Sequence, residues 1–176
     1  MGVLSTAPPN LVERRRVIVV MDLAGFTRAV SALGAMELAE LVHDFYDVAA
    51  ATVEAHGGVV VKFVGDGCLA LFGDEDVASA VGCVEAVTAA LPALSAAHGV
   101  ELGLGANVHR SVVVEGELGS GASRAHDVIG PAVIHAYRMG SGAGVRISEP
   151  VYRRLPNDQR SPWMKRQPPA TYARRT

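Results

Sequence analysis

The chain has 176 residues, of which 49% are hydrophobic and 19% charged, and its formal net charge is −2. That size and composition fit a single globular domain with a substantial core and exclude a disordered chain. The near-neutral balance gives no overall electrostatic reason to expect nucleic acid or an anionic membrane surface as a partner. No apolar run approaches the roughly 18 residues of a transmembrane helix, and the N-terminus lacks a signal-peptide core, so no membrane segment is expected. Cys68 and Cys83 lack metal-type spacing and read as reduced core thiols, which fits a cytoplasmic protein.

Residues 1–13, with Pro8-Pro9 and no periodicity, read as a flexible lead-in to a domain at 14–176. Arg14-Arg15-Arg16 reads as a solvated shoulder. Val17–Met21 is an apolar, β-branched run that predicts a strand buried on both faces. It ends at Asp22, and Leu23-Ala24-Gly25-Phe26-Thr27 leads into a helix. The free N–H groups at such a helix start form a ready anion site. Helix capping by Asp22 or Thr27 is the simpler alternative. From Ser31 to His56, Leu38, Leu41, Phe45, Val48 and Val53 recur at helical spacing, and Gly57-Gly58 supplies the stop.

The runs VVVKFV and CLALF then flank Gly65-Asp66-Gly67. Asp-Gly between two β-rich runs predicts a tight hairpin with Asp66 at its tip and Lys62 four residues before it. A carboxylate held at a rigid turn suits a hard cation such as Mg²⁺, although Asp-Gly is also common as turn chemistry alone. Asp74-Glu75-Asp76 predicts a helix start with acids in its first turn. Val77, Val81, Val84, Thr88 and Leu91 form that helix's stripe, Pro92 kinks or restarts it, and it closes near His98-Gly99.

Val100–His109 and Arg110–Gly119 are expected as two paired strands, followed by a loop over Gly119–Ser123. Pro131 opens a helix of about two turns. Val145–Ser148 reads as a short strand and Glu149–Leu155 as a short helix. The tail is rich in proline, with Met164-Lys165 and Thr171-Tyr172 as candidate edge-strand pieces.

The order β–α–β–β–α–β, then ribbon, helix, strand and tail, matches a ferredoxin-like split βαβ arrangement. The expected class is α+β, with two helices on one face of a mostly antiparallel sheet and a β-ribbon arm. In that arrangement the end of the first strand lies beside the hairpin tip, so Asp22 and Asp66 converge. Two carboxylates beside free N–H groups suit two divalent ions and a polyphosphate.

From Val17 to Ser148 the sequence resembles the catalytic domain of class III nucleotidyl cyclases, the adenylate and guanylate cyclases. The resemblance is carried by Asp22-Leu23-Ala24-Gly25-Phe26-Thr27, by Lys62-Phe63-Val64-Gly65-Asp66-Gly67, and by Asp127-Val128-Ile129-Gly130 through Arg138. It implies that Asp22, Asp66 and the Leu23 carbonyl bind two divalent ions, Mg²⁺ or Mn²⁺. It implies that the amides of Gly25, Phe26 and Thr27 hold the β- and γ-phosphates, and that Arg138 steadies the α-phosphate. Lys62 and Asp127 match the pair that reads the purine. An ammonium donating to N1 and a carboxylate accepting from the exocyclic amine suit adenine, hence ATP. Lys165 is the candidate for the lysine that contacts the triphosphate, in a tail that departs from the family pattern.

One position in the core departs too. Ile134 stands where the family usually has an asparagine, and losing one transition-state donor typically costs on the order of 10²–10³ in rate. The resemblance implies a head-to-tail homodimer in which one copy brings the aspartates and the other brings Lys62, Asp127 and Arg138. The ribbon over Arg110–Asp127 is the expected dimer arm, unless Val112–Val114 pack on their own sheet. The expectation is therefore an adenylate cyclase catalytic domain, with a nucleotide-binding or regulatory domain of the same fold as the alternative.

Overall fold

The computed structural model describes residues 10–166 and 170–174; positions 1–9 of the expected lead-in lie outside the described residues. A central strand, β1 (Leu11–Ala24), leads to α1 (Phe26–Ala32) and α2 (Ala35–Ala55). A hairpin of β2 (Val59–Val64) and β3 (Gly67–Phe72) follows, then α3 (Val77–His98) and β4 (Gly103–Leu118). The remainder is β5 (Ala125–Ile129), α4 (Pro131–Arg138), β6 (Gly144–Ser148), α5 (Glu149–Arg154), β7 (Trp163–Arg166) and β8 (Thr171–Arg174). The strands form one sheet in the order β2-β3-β1-β4-β6-β8-β7, with β5 paired to β4. Only β4 and β6 run parallel among the described pairs.

The expected α+β class holds. β1 sits between β3 and β4, and its Val17–Met21 run is buried throughout. Alternation along the strand sends Val17, Val19 and Met21 into the core shared with α2 and α3. Ile18 and Val20 face a smaller core with Leu69, Leu71, Val113 and Val128, capped by Ala132 and Ala136 of α4. α2 and α3 therefore cover one face, as expected, with α5 adding Val151 to the same core, and α4 covers part of the other.

Several local expectations change. The two strands expected over Val100–Gly119 are one continuous strand, because β4 finds a partner in β1 at every position from Leu23↔Leu104 to Leu11↔Gly116. The same pairing draws Leu11–Glu13 into β1. It also makes Arg14 and Arg16 something other than a solvated shoulder. Arg16 grips the buried Glu115 with two hydrogen bonds, at 3.1 and 2.7 Å, and Arg14 lies 3.2 Å from the same carboxylate. The Arg16 hydrogen bonds hold Glu115 below the usual glutamate range against the opposing effect of burial. Of the arm's valines, Val113 is buried while Val112 stays partly exposed.

The expected helix from Ser31 to His56 breaks at Gly34, whose N–H donates to the Glu37 carboxylate at 2.7 Å and starts α2 afresh. α3 begins at Val77 with Asp76 as its N-cap residue and no acid in its first turn. It also runs straight through Pro92, with Leu91 and Leu94 buried on either side. That burial offsets the roughly 3 kcal/mol a mid-helix proline costs. By length and composition α3 could cross a membrane, contrary to the sequence reading. Here its apolar side lies in the core with β1, β3 and β4. The tail pieces do form edge strands, β7 pairing with β8 and β8 with β6.

Candidate active site

Gly65 and Asp66 connect β2 to β3, with Val64 opposite Gly67. The positive φ belongs to Gly65, at 59°, so Gly65-Asp66 and not Asp66-Gly67 is the turn pair. Gly67 is required for another reason: a Cβ there would overlap the Met21 carbonyl oxygen of β1. The tip is held from two sides. The Leu23 N–H donates to the Asp66 carbonyl at 3.1 Å. The Tyr46 hydroxyl of α2 donates to the Gly65 carbonyl at 2.5 Å, while its ring stacks on Phe63 at 3.9 Å.

This arrangement sets Asp66 beside the end of β1. Asp22 and Asp66 line one hollow of about 240 Å³, together with Asn107, Tyr137 and Ser141. Burial pushes the Asp22 carboxyl above the usual aspartate range, the Asp66 charge pushes it further, and Arg146 partly offsets both. Gly105 leaves the space that Asp22 occupies, since a Cβ at that position would overlap its Oδ1. Asp22 does not cap α1. The N-cap residue is Gly25, at φ 98°, and among the described residues no side chain caps that helix start.

Two hard carboxylates whose mutual repulsion Arg146 only partly offsets fit a divalent cation of the Mg²⁺ or Mn²⁺ type. Among the described residues no group of three or more His, Cys, Asp or Glu converges as a metal cluster. The acidic side chains lining this hollow are Asp22 and Asp66, and two carboxylates are a number that Mg²⁺ takes where substrate phosphates complete its shell.

Lys62 of β2 and Asp127 of β5 form a second cluster. The Lys62 Nζ lies 2.8 Å from each Asp127 oxygen, and the Val128 N–H donates to Asp127 Oδ1 at 2.7 Å. Burial raises the Asp127 pKa, but the Lys62 hydrogen bond and the Val128 amide outweigh it and hold the carboxyl below its usual range. The pair lines a different hollow, of about 370 Å³, with Gly130, Pro131 and Ile134. Ile134 therefore sits beside the Lys62–Asp127 pair and is 55% exposed.

The other expected site residues are not gathered with either cluster. Gly25 opens a third hollow with Arg28 and Glu101, and Phe26 and Thr27 form the first turn of α1 behind it. Arg138 is exposed at the end of α4 and makes no ion pair among the described residues. Lys165 is exposed on β7, at the sheet edge opposite β2. The sequence reading missed Asn107, Tyr46 and Tyr137. A lone amide inside the apolar β4 run was the one available signal for Asn107.

The family model for the adenylate and guanylate cyclase catalytic domain matches residues 14–168. An adenylate cyclase of Anabaena cylindrica is 27% identical over 155 residues, covering 81% of this chain and 31% of that protein. The chain thus spans about a third of that relative's length. The adenylyl cyclase CyaB from P. aeruginosa shares the fold with a TM-score of 0.83 at 20% identity, over 95% of this chain and 96% of that one. The guanylyl cyclase Cya2 gives a TM-score of 0.81 at 26% identity, over 93% and 92% of the two chains.

Proposed function

The chain belongs to the adenylate and guanylate cyclase catalytic domain family, and within it we propose an adenylate cyclase that converts ATP to cyclic AMP and pyrophosphate. The observation that carries this reading is the Lys62–Asp127 pair, a donor and an acceptor side by side at 2.8 Å. Adenine offers the complement, an acceptor at N1 and a donor at its exocyclic amine. Guanine offers a donor at N1 and an acceptor at O6. Each unmet buried polar contact costs about 1–3 kcal/mol, so two of them favour ATP by well over tenfold.

Asp22 and Asp66 hold two divalent cations in this reading, with the Leu23 carbonyl as a further ligand. When bound, such ions supply charge neutralisation for a leaving pyrophosphate and acidify the attacking hydroxyl. The amides of Gly25, Phe26 and Thr27 bind the β- and γ-phosphates, Lys165 meets the triphosphate, and Arg138 orients the α-phosphate for attack by the ribose 3′-hydroxyl. The two acidic and purine-reading clusters line hollows with no residue in common. That separation supports a head-to-tail homodimer in which each site takes its aspartates from one copy and Lys62, Asp127 and Arg138 from the other. Free, buried Cys68 and Cys83 suit a reducing compartment, so the cytoplasm is the proposed location.

Ile134 favours a second reading, a nucleotide-binding or regulatory domain without turnover. The test is product formation from ATP and from GTP, with Mg²⁺ and with Mn²⁺, for the unaltered chain and Asp66→Ala. Cyclic AMP from the unaltered chain, lost in Asp66→Ala, is the expected result. Nucleotide binding with no product under any condition would favour the regulatory reading.

A further inference from the structure

Asn107 lies on β4 opposite Val20, two positions from the Gly105 that faces Asp22. Strand alternation puts Asn107, Gly105, Val20 and Asp22 on the same face of the sheet. Asn107 is only 5% exposed and forms part of the wall of the Asp22–Asp66 hollow. Its amide nitrogen donates to the Gly140 carbonyl at 2.9 Å. A carbonyl can only accept, so this bond fixes which way the amide points and leaves Oδ1 as its other end. That Oδ1 is buried and, among the described residues, has no hydrogen-bond partner.

Buried acceptors are nearly always satisfied, so one orphaned in the wall of a hollow marks a donor that the described residues do not supply. Among the described residues no neighbour supplies it, the Tyr137 and Ser141 hydroxyls that share the hollow included. Asp22 and Asp66 are acceptors when ionised. Arg146, opposite Asn107 on β6, commits its guanidinium to the carbonyls of Ser141, Gly142 and Gly144. A cation of the Mg²⁺ type keeps several of its waters, each a strong donor.

Resting on the reading of Asp22 and Asp66 as cation-binding carboxylates, we propose that Asn107 Oδ1 accepts a hydrogen bond from a water on the bound divalent ion. Asn107 is then a positioning residue of the metal site. It is an acceptor, so it does not replace the donor that Ile134 lacks.

The test is Mn²⁺ binding without nucleotide, read from the electron paramagnetic resonance of free Mn²⁺. The chains compared are the unaltered one, Asn107→Ala, Asn107→Asp and Asp66→Ala, with melting curves to verify that each folds. Asn107→Ala is expected to bind about tenfold more weakly, at the lower end of what outer-shell partners contribute. Asn107→Asp keeps an acceptor oxygen but loses the bond to Gly140, and is expected to bind at least as tightly as the unaltered chain. Equal affinity for Asn107→Ala and the unaltered chain, with Asp66→Ala weakened, overturns the proposal and leaves the metal reading standing. Equal loss in Asn107→Ala and Asn107→Asp also overturns it, by reducing Asn107 to a tether for the Gly140 loop. Unchanged binding in Asp66→Ala would remove the metal reading itself, and the proposal with it.

Discussion

The two acidic clusters on this sheet are built to opposite specifications. Asp127 is neutralised within the chain: Lys62 touches both of its oxygens, a backbone amide binds one of them, and its pKa is depressed. Asp22 is left in deficit, desolvated, facing the like charge of Asp66 and sharing its hollow with an orphaned amide oxygen. The first cluster presents a finished pattern of one donor and one acceptor, which is what the proposed base-reading role asks of it. The second keeps a repulsion that Arg146 only partly offsets, which a cation bound as proposed would relieve. In the proposed function the paired charge serves recognition and the incompletely paired one serves chemistry.

Three substitutions bear on this contrast, in decreasing order of effect. Ile134 belongs to the finished cluster by position, yet it is the residue there that cannot donate. Ile134→Asn is expected to raise kcat by on the order of 10²–10³ with little change in Mn²⁺ affinity, measured by cyclic AMP formation and by Mn²⁺ titration. An unchanged kcat would show that the domain has settled on a geometry that does not use that donor.

Lys62→Met breaks the pair and leaves Asp127 without its cation. It is expected to cut the preference for ATP over GTP by roughly tenfold or more, read from the ratio of kcat/KM values. Preference unaltered by Lys62→Met would remove base reading from this cluster.

Asp22→Asn is the converse change, relieving the deficit without metal. A carboxyl whose pKa is raised on folding contributes stability below its unfolded pKa, and that stability is lost as pH rises through the folded value. In the absence of metal, Asp22→Asn should therefore raise the melting temperature at neutral pH. The gain should vanish once both forms are neutral, below about pH 3.9. A lower melting temperature at neutral pH would mean that the carboxylate is not in deficit.

What the sequence made legible follows from the range of the signal. The buried run of β1, the stripes of α2 and α3 and the hairpin tip rest on neighbouring residues and were readable directly. The continuity of β4 was not, because its glycines and charges resemble a break until the fourteen-residue pairing with β1 is known. Arg16 and Glu115 meet across 99 positions, and Lys62 and Asp127 across 65. Local pattern says nothing at that range, and the second pair was anticipated only through a family resemblance. Asn107 is the hardest case. Its importance lies in an atom left without a partner, a property that no residue has until its surroundings are folded around it.

The most direct test of the divided site is complementation. Asp66→Ala lacks the acidic half, Arg138→Ala lacks the other, and each alone should be inactive. The background would be whichever of the unaltered chain and Ile134→Asn gives turnover. Mixed in equal amounts and allowed to exchange, half of the dimers pair one of each, and each such dimer carries one intact site. The account predicts recovery of about a quarter of the parent rate of cyclic AMP formation. No recovery in a mixture shown to contain the heterodimer would contradict it, and would place Asp66 and Arg138 in the service of a single chain.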